Sequence, residues 1–310
     1  MIQWDTDWRR MSLYTRAYVV GMRLRRDKQA FEGAEHTLRN ARRLQEAGDG
    51  APTRLTRLLT RVEETERAGM VVWKARPRRR GCAARVIYVH GGGYVHPLTA
   101  DYWRLVRALT RSPAEVIVPA YSLAPEATVD DVLPQLLHLY TETARTDPCR
   151  PVVLMGDSAG GALVLTLARR LRDLGRQAPA AVVALSPWLD ATLGDPEVAD
   201  LEATDPMLAE SGLRGAGRWW AGFRSADDPL VSPVNGSLVD LPPLEVYIGD
   251  RDILRPAVDS LAERATRDAA DLHVHEVTSM FHVWMTRAIP EGRRTRRDLA
   301  RLVRRRTAYA

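Results

Sequence analysis

The chain is predicted to form an α/β fold: a mostly parallel central sheet with helices on both faces. Three observations predict this. From Met70 onward, short apolar runs alternate with helical stretches. The runs are continuously apolar instead of alternating apolar and polar, which is the pattern of strands buried on both faces. A length of 310 residues and an apolar fraction of 45% suit a globular chain that buries a large core.

The elements are read in chain order. Residues 1–70 read as helical, because Trp4, Trp8, Met11, Tyr14 or Thr15, Tyr18 and Met22 recur at helical spacing with arginines between them. The aromatic face is expected to pack on the main domain as a lid, with a membrane-surface helix as the alternative. "EAGDGAPT" (Glu46–Thr53) interrupts this region and "RLTRLLTRVEETER" resumes it. "MVVWKA" and "ARVIYVH" then read as strands, "DYWRLVRALTR" as a helix, "AEVIVPAY" as a strand and "VDDVLPQLLHLYTETAR" as a helix. "PVVLMGD", "AAVVALS", "LEVYIGD" and "LHVHEV" complete the strands. "AGGALVLTLARRLRDLG" follows the first of these as a helix, and "AVDSLAERATRD" follows the third. A polar, helical excursion spans roughly 195–225. The expected organisation is an N-terminal helical cap over 1–70 and a catalytic domain over 71–310, with a cap insertion at about 195–225.

The net charge of +6 is unevenly distributed. Residues 1–80 carry +9 and residues 286–310 carry +7, so the segment between them is acidic. That distribution argues against nucleic acid as a partner. The C-terminal "EGRRTRRDLARLVRRR" is read as an amphipathic helix, with Leu299, Leu302 and Val303 inward and arginines outward. The alternative is a tail for an anionic partner. Of 45 basic residues only Lys28 and Lys74 are lysine. Cys82 and Cys149 are the only cysteines, too few for a disulfide framework, and a reducing cytoplasmic setting is expected. No apolar run is long enough to span a bilayer, and the N-terminus lacks the apolar core of a signal peptide.

In a parallel sheet, sites lie beyond the carboxyl ends of strands. After "PVVLM" comes Gly156-Asp157-Ser158-Ala159-Gly160, a G-x-S-x-G between strand and helix. That slot is what the nucleophile elbow of an α/β-hydrolase requires. A serine hydroxyl needs a base, and the base an orienting carboxylate. The fold's chain order of serine, acid, histidine eliminates His36, His90, His96 and His138. His273 and His275 alternate within the last strand, point to one face and read as structural. His282, in the loop after that strand, is left as the base. Asp250 and Asp252 both follow "LEVYIG" and both are candidates for the acid. "HGGGYV" after "VIYV" leads into a helix instead of a returning strand, so its glycines read as bare backbone whose N–H groups receive an oxyanion.

Together these residues resemble the bacterial hormone-sensitive lipase family of α/β-hydrolases. The resemblance covers roughly residues 70–290, through "HGGGYV", "YSLAPE", "GDSAGG", "LSPWLD", "SPVNGSLVDLPPLEVYIGDRDIL" and "FHVW". It implies carboxylic ester hydrolysis through an acyl-enzyme, with no metal or organic cofactor. The roles it implies are Ser158 as nucleophile, His282 as base and Asp252 as orienter. Gly92, Gly93 and Ala159 would be the oxyanion donors. It also implies a small-molecule ester substrate and a helical cap formed by 1–70 and 195–225. Tyr94, Trp188, Trp219, Trp220, Phe281 and Trp284 are expected to line an apolar acyl pocket for short to medium chains. The sequence departs from the family pattern at Ser122, often Arg, at "ATVDDV" for "HPFPAA", at "DIL" for D-P-L and at "FHVW" for a common H-G-F. Two other functions stay open at this point: acyl transfer or cyclising release of a carrier-bound intermediate by the same triad, and a non-catalytic ligand receptor on this scaffold. A homo-oligomer, and an acidic carrier protein docked by the basic termini, stay open as partners.

Overall fold

The computed structural model describes residues 1–78 and 81–308. Nine strands form one sheet: β1 (Ile2–Asp7), β2 (Thr60–Arg67), β3 (Met70–Pro77), β4 (Ala84–Val89), β5 (Ala114–Ala120), β6 (Val152–Asp157), β7 (Ala181–Leu185), β8 (Leu244–Gly249) and β9 (Leu272–Val277). The order across the sheet is β1-β9-β8-β7-β6-β4-β5-β3-β2. All neighbouring pairs are parallel except β2–β3 and β3–β5. The helices are α1 (Leu13–Arg25), α2 (Ala34–Ala47), α3 (Arg54–Leu59), α4 (Tyr102–Leu109), α5 (Val129–Thr146), α6 (Ala159–Asp173), α7 (Glu197–Thr204), α8 (Glu210–Ala221), α9 (Pro256–Arg267) and α10 (Pro290–Arg306).

The continuously apolar strands work as expected, because successive side chains serve opposite faces. Ile87, Val89, Leu154, Ala184 and Ile248 join the core that includes buried residues of α5, α6 and α9. Val86, Tyr88, Val153, Met155 and Leu185 join a second core with Trp103, Leu105, Leu299, Leu302 and Val303. The C-terminal segment is thus the amphipathic helix its spacing predicted, with its apolar stripe against the sheet.

Two elements correct the helical reading of residues 1–70. Residues 2–7 form β1, paired in parallel with β9 at the sheet edge. "IQWDTD" also has a period of two: Ile2, Trp4 and Thr6 are partly buried while Gln3 and Asp5 are exposed. Its tryptophan matched the helical spacing of the following segment by coincidence. Residues 60–67 form β2, the polar edge strand of a hairpin with β3. Its turn, Ala68-Gly69, has φ of 53° and 73°, the primed geometry that suits strand twist. The helix itself begins at Leu13, where Ser12 accepts the Thr15 N–H. Its inward face is Thr15, Val19 and Met22, while Trp8 and Tyr14 are exposed.

His273 and His275 do share one face. His273 meets Asp5 at 2.8 Å and His275 meets Glu245 at 2.7 Å, across the neighbouring strands. Both cysteines are free thiols, and β4 pairs with β6. Among the described residues no helix is long and apolar enough to cross a membrane.

Candidate active site

Ser158 lies between β6 and α6 with φ 52° and ψ −121°, in the positive-φ region that a side-chain-bearing residue rarely occupies. The turn is tight because strand and helix nearly touch. A Cβ on Gly156 would lie 2.2 Å from the Gly160 carbonyl oxygen, and one on Gly160 would lie 2.1 Å from that of Val89. These glycines allow the helix to start directly behind the strand end. Ser158 N–H donates to Leu185 O at 2.8 Å, which ties the elbow to β7.

Three residues beyond β8, Asp252 is fully buried, and five beyond β9, His282 is 3% exposed. His282 Nδ1 lies 2.8 Å from Asp252 Oδ2. A carboxylate only accepts, so Nδ1 carries the proton and Nε2 is left free to take one. Asp252 Oδ1 accepts the Leu254 N–H at 3.0 Å, which fixes the carboxylate plane. Asp250 is occupied elsewhere: its Oδ1 accepts the Ser279 N–H at 2.6 Å. Of the two acids the sequence offered, only Asp252 reaches the imidazole. No hydrogen bond joins Ser158 to His282 among the described residues, a gap that such pairs often close only with substrate bound.

The loop after β4 wraps the elbow. A Cβ on Gly91 would lie 2.4 Å from Asp157 Oδ2 and 2.9 Å from Ser158 Cβ. Gly92 and Gly93 have φ of 108° and 62°. Among the described residues, the N–H groups of Gly92, Gly93 and Ala159 donate to no protein acceptor. The Gly91 N–H instead donates to Asp157 Oδ1 at 3.0 Å, and the same oxygen accepts the Tyr88 hydroxyl at 2.5 Å. Burial pushes Asp157 up to about 6 despite these donors.

Asp157 is one of three supporting residues that the sequence reading missed. Its position inside the G-x-S-x-G was visible, but its bond to Gly91 spans 66 positions. Asp205, between α7 and α8, is the second. It accepts the Met207 and Leu208 N–H groups on Oδ1 (2.7 and 3.0 Å) and the Ile253 N–H on Oδ2 (3.2 Å). Burial, then the charge of Asp252, push Asp205 up to about 6. Ser186 is the third: its hydroxyl accepts the Val283 N–H at 3.1 Å, next to His282. Ser186 lies within "LSPWLD", but nothing in that motif gave its contact, and no local pattern marked Asp205.

Burial opposes charging of His282, but Asp252, helped by Asp205 and Asp157, overrides it and holds the imidazole pKa above the ordinary histidine value.

The six aromatics expected around a pocket divide. Tyr94, which follows the three glycines, stacks on Trp220 (centroids 4.3 Å apart) and on Trp188 (5.3 Å). Trp219 is half-buried on α8. Phe281 stacks on Tyr18 of α1 at 6.3 Å. Trp284 turns away to α10, where its indole N–H donates to Thr295 at 3.0 Å. Phe31, from the N-terminal region, closes over the glycines: a Cβ on Gly93 would lie 2.8 Å from its ring. Gln45 of α2 donates to Val95 O and Ala124 O, joining the loop after β4 to the "YSLAPE" loop.

The chain as a whole is similar to known proteins. The alpha/beta hydrolase fold family matches residues 86–286. An acetyl-hydrolase of Streptomyces hygroscopicus is 31% identical over 226 residues, 71% of this chain and 74% of that protein. The crystal structure of EstE5, soaked with p-nitrophenyl butyrate, superposes with a TM-score of 0.82 at 26% identity, covering 94% of this chain and 98% of that one. An esterase from the bacterial hormone-sensitive lipase family superposes with a TM-score of 0.82 over 96% of this chain and 100% of that one; at 24% identity this likeness speaks for the fold.

Proposed function

Since the chain belongs to the alpha/beta hydrolase fold family and is a carboxylic ester hydrolase, we propose that it works as a serine esterase through an acyl-enzyme on Ser158. The observation that carries this reading is the His282 Nδ1–Asp252 Oδ2 bond of 2.8 Å. It leaves a proton-accepting Nε2 at the same end of the sheet as the strained Ser158.

In this mechanism Nε2 takes the Ser158 proton as Oγ attacks the ester carbonyl. The carbonyl oxygen becomes negative and is received by the unpaired N–H groups of Gly92, Gly93 and Ala159. The imidazolium then protonates the leaving alcohol, and water repeats the sequence to free the acid. Asp252 compensates the transient charge on His282, with Asp205 behind it. Asp157 holds Gly91, and with it the oxyanion loop, against the elbow.

We assign short to medium acyl chains to this site, with a lid made from α1, α2, α7 and α8. The acetyl-hydrolase likeness and the aromatic stack of Tyr94, Trp188 and Trp220 support the first assignment. The contact of Tyr18 with Phe281 supports the second. The test is Ser158→Ala with a series of p-nitrophenyl esters. Loss of turnover by ~10⁶, with folding intact, is expected. Turnover within tenfold of the parent would overturn the nucleophile, and a preference for long chains would overturn the substrate class.

A further inference from the structure

A groove of about 360 Å³ runs between α4 and α10, contains no proposed catalytic residue in its lining, and is lined by eight arginines and two alanines with no acid among them. Arg104, Arg107 and Arg111 form one wall. Arg293, Arg296, Arg297, Arg301 and Arg304 form the other, at the i, i+3, i+4 spacing that gathers side chains on one helical face.

These charges are poorly compensated. Arg104 pairs with Asp101 at 3.0 Å and Arg301 with Asp298 at 3.5 Å. Among the described residues, Arg107, Arg111, Arg293, Arg296, Arg297 and Arg304 meet no carboxylate. Arg296, only 8% exposed, donates to Met285 O and Arg287 O at 2.6 and 2.8 Å. Arg104 donates to Thr286 O at 2.8 Å. The chain therefore holds like charges together on a backbone turn close after His282, with Asp101 and Asp298 as the carboxylates paired to the groove arginines among the described residues. Burial, then Arg104, Arg107, Arg111 and Arg293, push Arg296 down to about 10.

Like charges at this density repel, and a multivalent anion relieves that repulsion in one binding event. Guanidinium groups match phosphate oxygens in bidentate pairs, and opposed walls can engage a ligand from two sides. The volume lies at the small end of ligand sites, too small for a folded partner.

We propose that this groove is a binding site for a small soluble anion carrying two or more phosphate groups. Arg104 and Arg107 of α4, with Arg111 just beyond it, grip the anion from one side and the arginines of α10 from the other.

The test is calorimetric titration of the full chain with inorganic pyrophosphate at constant ionic strength, alongside thermal melting. Saturable one-to-one binding and a rise in Tm are expected. R293Q/R297Q/R304Q, whose side chains make no hydrogen bond among the described residues, should weaken binding at least about tenfold. R111Q alone should weaken it measurably, which covers the case in which the triple variant misfolds. R10Q/R16Q/R42Q removes equal charge outside the groove and should leave binding unchanged. Pyrophosphate binding no better than chloride, or equal loss in both triple variants, would overturn the site. Capture by phosphatidylglycerol vesicles that pyrophosphate fails to compete would overturn the soluble ligand in favour of a lipid surface.

Discussion

Asp205, on the excursion between β7 and β8, accepts the backbone N–H of Ile253, the residue directly after Asp252, at 3.2 Å. Its other oxygen holds the Met207 and Leu208 N–H groups. One buried carboxylate thus joins the excursion to the loop that carries the proposed acid. Asp205→Asn should lower kcat/KM by about tenfold or more, because both carboxylate oxygens accept backbone N–H groups and an amide has one acceptor oxygen, so its NH2 must face either Ile253 or Met207 and Leu208. The acid limb of the pH profile should also move down, because a negative charge that supports imidazolium is gone. An unmoved limb in a folded variant would leave Asp205 as a packing residue only.

The pH dependence has a definite sign. His282 must be neutral to act as base, and its pKa is held above the ordinary value of 6.5. kcat/KM should therefore fall as pH drops through a midpoint above 6.5. A midpoint below that value, measured on a substrate whose chemistry limits the rate, would contradict the arrangement of three carboxylates around this imidazole.

Two aspartates two positions apart should behave differently. Asp252→Asn is expected to cost ~10⁴ in turnover through the wrong imidazole tautomer. Asp250→Asn should cost under ~10-fold, since an amide oxygen still accepts the Ser279 N–H. Purified variants compared on one aryl ester decide it, and a crippling Asp250→Asn would reassign the acid.

Gly91→Ala tests the proposed oxyanion loop. The added methyl would meet Asp157 and Ser158, so either the loop or the elbow must move. A fall in kcat of ~10²–10³ is expected, the scale of one lost oxyanion donor, with a smaller change in KM. Unchanged kcat in the folded variant would show that the loop tolerates displacement and is not held for catalysis.

The proposed lid is best probed by Tyr18→Ala, because deleting residues 1–25 would also strip β1 from β9. Removing the ring from Phe281 should change KM and chain-length preference more than kcat. Equal loss across all chain lengths, in kcat alone, would argue against a lid.

What the sequence determined by itself is local. Apolar runs identified β3 to β9: they are near-continuous in β4 to β8, which are buried on both faces, whereas β9 alternates, with Leu272 and Val274 buried and His273 and His275 only partly so. The elbow glycines and the register of Ser158 were also legible, since a tight strand-to-helix turn restricts residue types within a few positions. The edge strands β1 and β2 were not legible: they are partly solvated and polar, and are held by pairing with β9 and β3. The choice of Asp252 over Asp250 needed the family pattern, and the contacts of Asp205, Ser186 and Asp157 came only with the structure. These contacts join residues 30 to 97 positions apart. Only the folded sheet brings such partners within hydrogen-bond distance, and their energies depend on burial that no local pattern encodes. The arginine groove has the same origin: its spacing on α10 was visible, but its opposite wall on α4 is supplied by packing.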